Sequence, residues 1–580
     1  MDAIRSRLRN LPFFAQLGAE TLNAIAGVSV WQSIAGGWEL FAQGAMTEAL
    51  HVNLSGRLIV VREAAEGGEE VVGYVRSGEP VGEMSILSSE PHSASVFALR
   101  DTEILSIARA DVEKLIEKHG DFAAALARLV LSRTRKPEAS FQRGAPRIFA
   151  LIATSPSIDV DARTKDLAKR ISAHKVNVTW FPVGDAAPNS REFDLVENAH
   201  EVVLLAARVD DSQWYRFVQR HADRFLVLAR RDARPSKPFP LTLEAGERAR
   251  KFRLVDLIML HEGAPSGATS EWMDVIGASR VINCRGDRCF DRLARIVSGK
   301  SIGLVLSGGG ARAYAHIGAV KAMRDKGVPI DFICGASMGA VVAACVAIGW
   351  PQAEMEERIR EAFVASNPLG DHVLPVVALT KGVRVETRLE KHFGDARIED
   401  LVTPFFCVSS DIVNGSAHIH KTGLLRSALR ASIALPGILP PVVGDHELLV
   451  DGAVVNNFPT DLMTTMHRGL TIGVDVAREG VIDIDAFRDP PGFFSWVAGH
   501  GFSEAPPIVS LLMRAATARR ERFERPRPAD IMIAPPVPDV ELRDWKEFEP
   551  AVANGYEAAM TAIEENWSAL APIAAASKSD

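Results

Sequence analysis

The sequence predicts a chain of three units: a small β-barrel, then a parallel α/β unit, then a larger α/β domain built around a serine turn. Three observations carry this. Short alternating strands dominate residues 10 to about 110; apolar runs alternate with helical stretches across 147–298; and beyond 301 two glycine-rich loops each join a strand to a helix. At 580 residues the chain exceeds what one hydrophobic core usually supports.

The barrel comes first. Leu58-Ile59-Val60-Val61 and Val71-Val72-Gly73-Tyr74-Val75 are strands separated by Gly- and Glu-rich turns, the pattern of a small barrel or jelly roll. From Ala110 to Arg135, Val112, Leu115, Ile116, Phe122, Leu126 and Leu129 recur at helical spacing, so helices close the barrel. Lys136 to Pro146 is polar, carries two prolines and reads as a linker, which bounds a first domain at 1–136. The second unit, 147–298, shows apolar runs at 148–152, 176–181, 202–205 and 225–228 between helical stretches. The third runs from Ser301 to Trp567, and 568–580 reads as a disordered tail.

Composition narrows the function classes. With 47% hydrophobic and 24% charged residues the chain is ordinary for a soluble globular protein. A net charge of -7 gives no support to a nucleic-acid partner, which would call for a basic face. The five cysteines are scattered, and the one close pair, Cys284 and Cys289, matches no common zinc spacing. The expectation is reduced thiols, no metal, and a cytoplasmic protein. No apolar h-region follows Met1–Arg7, so no secretory signal is expected. Phe332–Trp350 is long enough to span a bilayer, but it contains the serine motif and reads better as a buried strand, turn and helix.

That motif is Gly335-Ala336-Ser337-Met338-Gly339, after the strand-like Pro329–Cys334 and before the helical Ala340–Cys345. Strand, tight turn and helix is the setting of a nucleophile elbow. Gly335 and Gly339 permit the turn, and the helix N-terminus favours negative charge at the serine. Upstream, Gly308-Gly309-Gly310-Ala311-Arg312 lies between a strand and a helix, where successive N–H groups can converge on an oxyanion. Downstream, Asp451-Gly452-Ala453 ends the apolar run Leu448-Leu449-Val450, so its carboxylate is desolvated and suited to act as a base.

These blocks, with Arg430–Gly437 between them, resemble the patatin-like phospholipase family over 301–567. The resemblance implies a three-layer α/β/α hydrolase fold and a Ser337–Asp451 dyad without a catalytic histidine or cofactor. It also implies an oxyanion hole from Gly308, Gly309 and Gly310 braced by Arg312. His316 then reads as structural, and His418 and His420 as a polar strand face lacking a third metal ligand. Gly308-x-Gly310-x-x-Ala313 also fits a loose dinucleotide fingerprint, which would make the chain an oxidoreductase. The acidic residue that fingerprint requires after the second strand is missing, because that strand ends in the serine elbow. Gly299-Lys300-Ser301 echoes a P-loop without its first glycine.

In the first domain, Gly82-Glu83-Met84-Ser85 and Pro91-His92-Ser93-Ala94 resemble the phosphate cassette of cyclic-nucleotide-binding domains. By that resemblance Glu83 would meet a ribose hydroxyl, with Gly82 and Ser93 beside it. His92, however, stands where the family carries an arginine for the cyclic phosphate, and a neutral imidazole does not replace a bidentate guanidinium. The whole arrangement, with a Rossmann-like α/β unit in the middle, is similar to neuropathy-target-esterase-like lysophospholipases. It implies an ester hydrolase acting on phospholipids or lysophospholipids, cytoplasmic and peripheral on the inner face of the membrane. Pro490 to Met513 offers aromatic and apolar residues for a lipid entrance or for packing a cap. The reading of another class is a lipid-binding regulatory scaffold without hydrolysis.

Overall fold

A computed structural model describes the chain except residues 1, 10, 12, 64–68, 76, 136–145, 189, 211, 237–253, 263–267, 287, 366–368, 374–375, 477–491, 493–494, 496–497, 500–528, 537–545 and 577–580. The 136–146 linker and the Pro490–Met513 segment therefore fall almost wholly outside the described residues. The chain divides into two compact units, the first comprising Met1–Ser172, Val176–Ile258 and Ser266–Ser279, the second mainly Arg280–Asp580.

The first unit begins with two antiparallel four-stranded sheets. One runs in the order Ser29–Ile34, Thr102–Ala108, Ala49–Ser55, Pro80–Val81, and the other Glu39–Phe41, Ser95–Ala98, Leu58–Glu63, Glu69–Val75. Strand Ala49–Ser55 shows why: Leu50, Val52 and Leu54 are buried at alternate positions, facing one core. The helices Arg109–Lys118 and Gly120–Arg135 close that core with Val112, Leu115, Phe122 and Leu126. The same unit holds parallel strands in the order Val178–Phe181, Val202–Arg208, Ile148–Ala153, Arg224–Arg230. Ile148–Ala153 is buried at every position, as a parallel strand covered on both faces must be.

Within this unit the barrel and the α/β region are joined by buried ion pairs. Arg100 of the barrel reaches Glu197 at 2.6 Å and Asp223 at 3.2 Å, and Arg57 lies 3.7 Å from the same Asp223. Asp223 also accepts the N–H groups of Arg147 at 2.8 Å and Ile148 at 3.2 Å, where the first parallel strand starts. Burial alone would raise the Asp223 pKa; the two guanidinium groups outweigh it and hold the carboxylate below its ordinary range.

The second unit is built on one mixed sheet in the order Val442–Val443, Leu448–Asp451, Phe405–Asp411, Phe332–Ala336, Ser301–Leu306, Gly469–Val474, Ile531–Ile533. Ser416–His420 pairs antiparallel with Phe405–Asp411. Helices Tyr314–Lys326, Met338–Ile348 and Phe548–Glu565 share its core. Gly318 and Gly555 let Tyr314–Lys326 and Phe548–Glu565 touch backbone to backbone, since a Cβ on either would strike a carbonyl of the other helix. Arg295 holds buried Asp331 at 2.7 Å, and Asp331 accepts the Ile302 N–H at 3.0 Å, tying two central strands together at their N-terminal ends.

Two expectations are corrected here. Cys284 and Cys289 form a disulfide across five positions, joining strand Arg280–Cys284 to helix Arg288–Val297, while Cys334, Cys345 and Cys407 are buried free thiols. The tail is not disordered over 568–576: Trp567–Ala576 is a helix, because Leu570, Ile573 and Ala574 bury against the core. Among the described residues no helix is long and apolar enough to cross a membrane.

Removing one partner of a buried ion pair strands the other, which costs about 3–5 kcal/mol. Asp223→Ala and Arg100→Ala should each lower the unfolding free energy of the first unit by that order, read as a fall in its urea midpoint. Because the folded pKa of Asp223 is depressed, its contribution is present above the unfolded value of about 3.9 and fades as the pH falls through the folded pKa. An unchanged midpoint at neutral pH in both variants would remove Asp223 as the joint.

Candidate active site

Ser337 sits between strand Phe332–Ala336 and helix Met338–Ile348 with φ 52 and ψ -131, a conformation L-residues rarely hold. Its neighbours explain how it is kept there. A Cβ on Gly335 would lie 2.6 Å from the Gly339 carbonyl carbon, and one on Gly339 would lie 2.5 Å from the Leu306 carbonyl oxygen. Both glycines are therefore required by close backbone approach, and the serine is pushed out at the tip.

Strand Phe405–Asp411 supplies the partner. Its first half pairs with the serine strand, the last pair being Ala336 with Val408; the next residue, Ser409, pairs with Asp451. Where one neighbour strand ends in Ser337, the other arrives carrying Asp451. Ser337 Oγ donates to Asp451 Oδ2 at 2.7 Å, between residues 114 positions apart in sequence. Asp451 is 1% exposed, and burial raises its pKa to about 6, against the opposing hydrogen bonds from the Ala453 N–H and Ser337. Among the described residues no ion pair reaches it. Gly452 must be glycine because a Cβ there would lie 2.4 Å from the Val408 carbonyl oxygen.

The glycine loop is more divided than the sequence suggests. The Gly308 N–H donates to the Asn457 carbonyl at 3.2 Å, so it is not available to an oxyanion. Gly309 and Gly310 carry no such bond among the described residues, and Gly310 and Arg312 lie in the short 3-10 helix Gly310–Ala313. Two further residues matter that the motifs did not single out. Ser432 accepts the Ser337 N–H at 3.1 Å while donating to the Val408 carbonyl at 2.7 Å, and Asn457 returns a bond to the Gly308 carbonyl at 3.3 Å. Both lie within or just after quoted motif blocks, but nothing in their spacing marks them as contacts.

The histidines stand outside the dyad. His316 bonds the Ser307 carbonyl at 2.8 Å in the core, and burial drops its pKa to about 4. His418 bonds Glu447 at 3.0 Å and His420 bonds Ser409 at 2.7 Å.

In the barrel, Gly82 caps helix Glu83–Ser88 with φ 91. The Glu83 carboxylate, buried, is paired with Arg133 of the closing helix, whose other nitrogen bonds the Pro80 carbonyl at 3.0 Å. His92 stacks on Phe41 with centroids 3.8 Å apart and shares a 3.2 Å hydrogen bond with Ser85, while burial lowers its pKa. Ser93 is exposed. A neutral, stacked imidazole and a carboxylate already held by an arginine do not fit a cyclic phosphodiester and its ribose.

The model of the patatin-like phospholipase family matches residues 304–464, and that of the cyclic nucleotide-binding domain matches 31–119. An uncharacterized NTE family protein of Mycobacterium tuberculosis is 30% identical over 97% of this chain and 96% of its own length. The chain belongs to the NTE family. This NTE-family chain is also 25% identical to patatin-like phospholipase domain-containing protein 6 of Homo sapiens, over 91% of this chain and 44% of that one. Lysophospholipase nte1 of Aspergillus niger is 25% identical over 91% and 41% respectively. The chain thus spans less than half the length of these two relatives. Its second unit carries a patatin-like lipid ester hydrolase domain, and its first a domain of the cyclic-nucleotide-binding type.

With an imidazole rather than a guanidinium at position 92 to meet the desolvated phosphate, calorimetric titration of the full chain with cyclic AMP or cyclic GMP should give no saturable heat. Saturable binding of either would show that Glu83 leaves Arg133 and that the cassette opens.

Proposed function

We propose that this NTE-family protein hydrolyses carboxylic esters of phospholipids or lysophospholipids, releasing fatty acid through a Ser337–Asp451 dyad. One observation carries the reading: a serine at a strained elbow donates at 2.7 Å to a buried carboxyl whose pKa is raised to about 6. Such a carboxylate is ionised at neutral pH yet basic enough to take the serine proton. Asp451 accepts that proton as Ser337 Oγ attacks the acyl carbonyl. The Gly309 and Gly310 N–H groups receive the oxyanion, and the Met338–Ile348 helix N-terminus adds its dipole. Asp451 returns the proton to the departing alcohol. Water, deprotonated by the same carboxylate, then releases the fatty acid and restores the serine.

Placement follows from substrate. Phospholipids reside in bilayers, so the protein works as a peripheral hydrolase at a membrane surface, on the cytoplasmic side. The three buried free thiols suit that compartment and the Cys284–Cys289 bridge does not. The barrel serves as a docking module fixed through Asp223 rather than as a nucleotide switch.

Ser337→Ala and Asp451→Asn should each lower fatty-acid release from lysophosphatidylcholine by more than about 10³-fold, with folding intact. Undiminished release in either sinks the dyad, and no release by the wild type favours a lipid-binding scaffold. For the wild type, kcat/KM should rise with pH through about 6 and then level off, because only ionised Asp451 is a base. A rate that fell across that range would assign the raised carboxyl to acid catalysis instead.

A further inference from the structure

The Cys284–Cys289 bridge stands apart in a chain whose other three cysteines are buried free thiols. It spans only five positions of sequence. So short a ring takes little chain entropy from the unfolded state, and global stability does not account for it. What it holds locally does. The bridge joins the end of strand Arg280–Cys284 to the first turn of helix Arg288–Val297, and three side chains beside it grip one stretch of main chain. The buried Asn283 amide donates to the carbonyls of Glu399 and Leu401, both at 2.9 Å, and its oxygen accepts from His261 at 2.8 Å. Arg285 donates to the Asp400 carbonyl at 3.3 Å. From the helix, Arg292 donates to the Val402 carbonyl and, at 3.1 Å, to the Thr403 hydroxyl. The successive carbonyls of 399–402 are thus held from the two elements that the bridge locks together.

This stretch leads straight to the dyad. The Thr403 N–H donates at 3.1 Å to the carbonyl of Ala347, near the end of the nucleophile helix, and the Pro404 carbonyl accepts the Ile333 N–H at 3.0 Å. Strand Phe405–Asp411 follows, pairing first with the strand that ends before Ser337 and then with Asp451. A shift passed along it moves the two dyad members against each other, and a misplacement of about 1 Å can cost about 100-fold in rate.

We propose that the bridge is a redox-sensitive clamp on this strand, so that hydrolysis at Ser337 is faster with Cys284 and Cys289 oxidised and slower with them reduced. On the cytoplasmic side, a disulfide serves as a redox sensor more often than as a staple. A dithiol reductant supplies the chemistry. One of its thiolates attacks a bridge sulfur and forms a mixed disulfide; its second thiol then displaces the protein sulfur. Cys284 and Cys289 together gain two electrons and two protons, and the reductant closes its own disulfide. Both cysteines are buried, but Arg285 and Gly286 between them are exposed, and opening of that turn admits the reductant. Without the bridge, Asn283 and Arg292 no longer act from one fixed base, and the 399–403 stretch loosens.

The test uses the full chain, oxidised with oxidised glutathione or reduced with dithiothreitol, its thiols counted after unfolding. The oxidised form should show three thiols and the reduced form five. Reduction should lower kcat/KM for lysophosphatidylcholine by at least about threefold, reversibly on reoxidation. It should also speed amide exchange across 399–408. The double variant Cys284→Ala/Cys289→Ala should match the reduced wild type and ignore dithiothreitol. If that variant does not fold, Asn283→Ala decides: with its bridge intact, it should bring the oxidised chain toward the reduced level of activity. Equal kcat/KM in the two forms of a chain that hydrolyses overturns the clamp, whatever the exchange shows. So does a dithiothreitol effect of the same size in the double variant, or a chain that keeps five thiols under oxidised glutathione. The activity arm rests on the hydrolase reading above and the exchange arm does not. Absence of fatty-acid release in both forms, with exchange across 399–408 still responding, therefore sinks the hydrolase reading and not the redox control of the strand.

Discussion

The site depends on one register. Strand Phe405–Asp411 is long enough to pair with two partners in succession along one side, Phe332–Ala336 up to Val408 and Leu448–Asp451 from Ser409 onward. That hand-over brings a serine and an aspartate from distant parts of the chain into hydrogen-bond contact without a flexible loop at either end. A slip of one residue would turn the Asp451 side chain to the other face of the sheet. The surrounding bonds guard against it. The Val408 carbonyl, at the hand-over point, accepts the Ser432 hydroxyl, which holds the Ser337 N–H, and its bulk excludes any side chain at position 452.

Four buried aspartates show how context divides structure from chemistry. Asp223 faces Arg100 and Arg57, Asp256 is gripped by Arg224 at 2.6 Å, and Asp331 by Arg295 at 2.7 Å. Each such carboxylate is neutralised where it stands and serves as a joint. Asp451 is equally withdrawn from water but meets a serine hydroxyl and one backbone N–H, so burial dominates and its affinity for a proton rises. Asp451 has no guanidinium beside it among the described residues and few hydrogen bonds, so burial prevails there.

Much of this was legible from residues alone. The elbow glycines, the glycine loop and the Asp-Gly step all answer to short-range backbone demands, which spacing records faithfully. The apolar runs at 148–152 and 202–205 gave parallel strands because burial on both faces leaves no room for alternation. What stayed hidden is what depends on residues far apart. Asn457 claims the Gly308 N–H through a contact spanning most of the domain, so three apparent oxyanion donors become two. The closeness of Cys284 and Cys289 was visible, but whether their side chains converge depends on the turn between strand and helix. Trp567–Ala576 reads as a tail by composition, and only the apolar surface it covers makes it a helix.

The barrel separates fold from ligand in the same physical terms. Its closure rests on Leu50, Val52, Ile107, Val112 and Phe122, none of which belongs to the phosphate cassette. Selection on packing can therefore keep the domain while the cassette drifts. Once position 92 lacks a guanidinium, a buried pocket for a phosphate becomes a liability, since its remaining polar groups must find partners inside the protein. Two of them have: Arg133 takes one Glu83 carboxylate oxygen, while Phe41 and Ser85 take His92. With these internal contacts made, a nucleotide would have to break an ion pair and a ring stack before making its first contact. The barrel's tie to the rest of the first unit, through Arg57 and Arg100, involves none of these cassette groups.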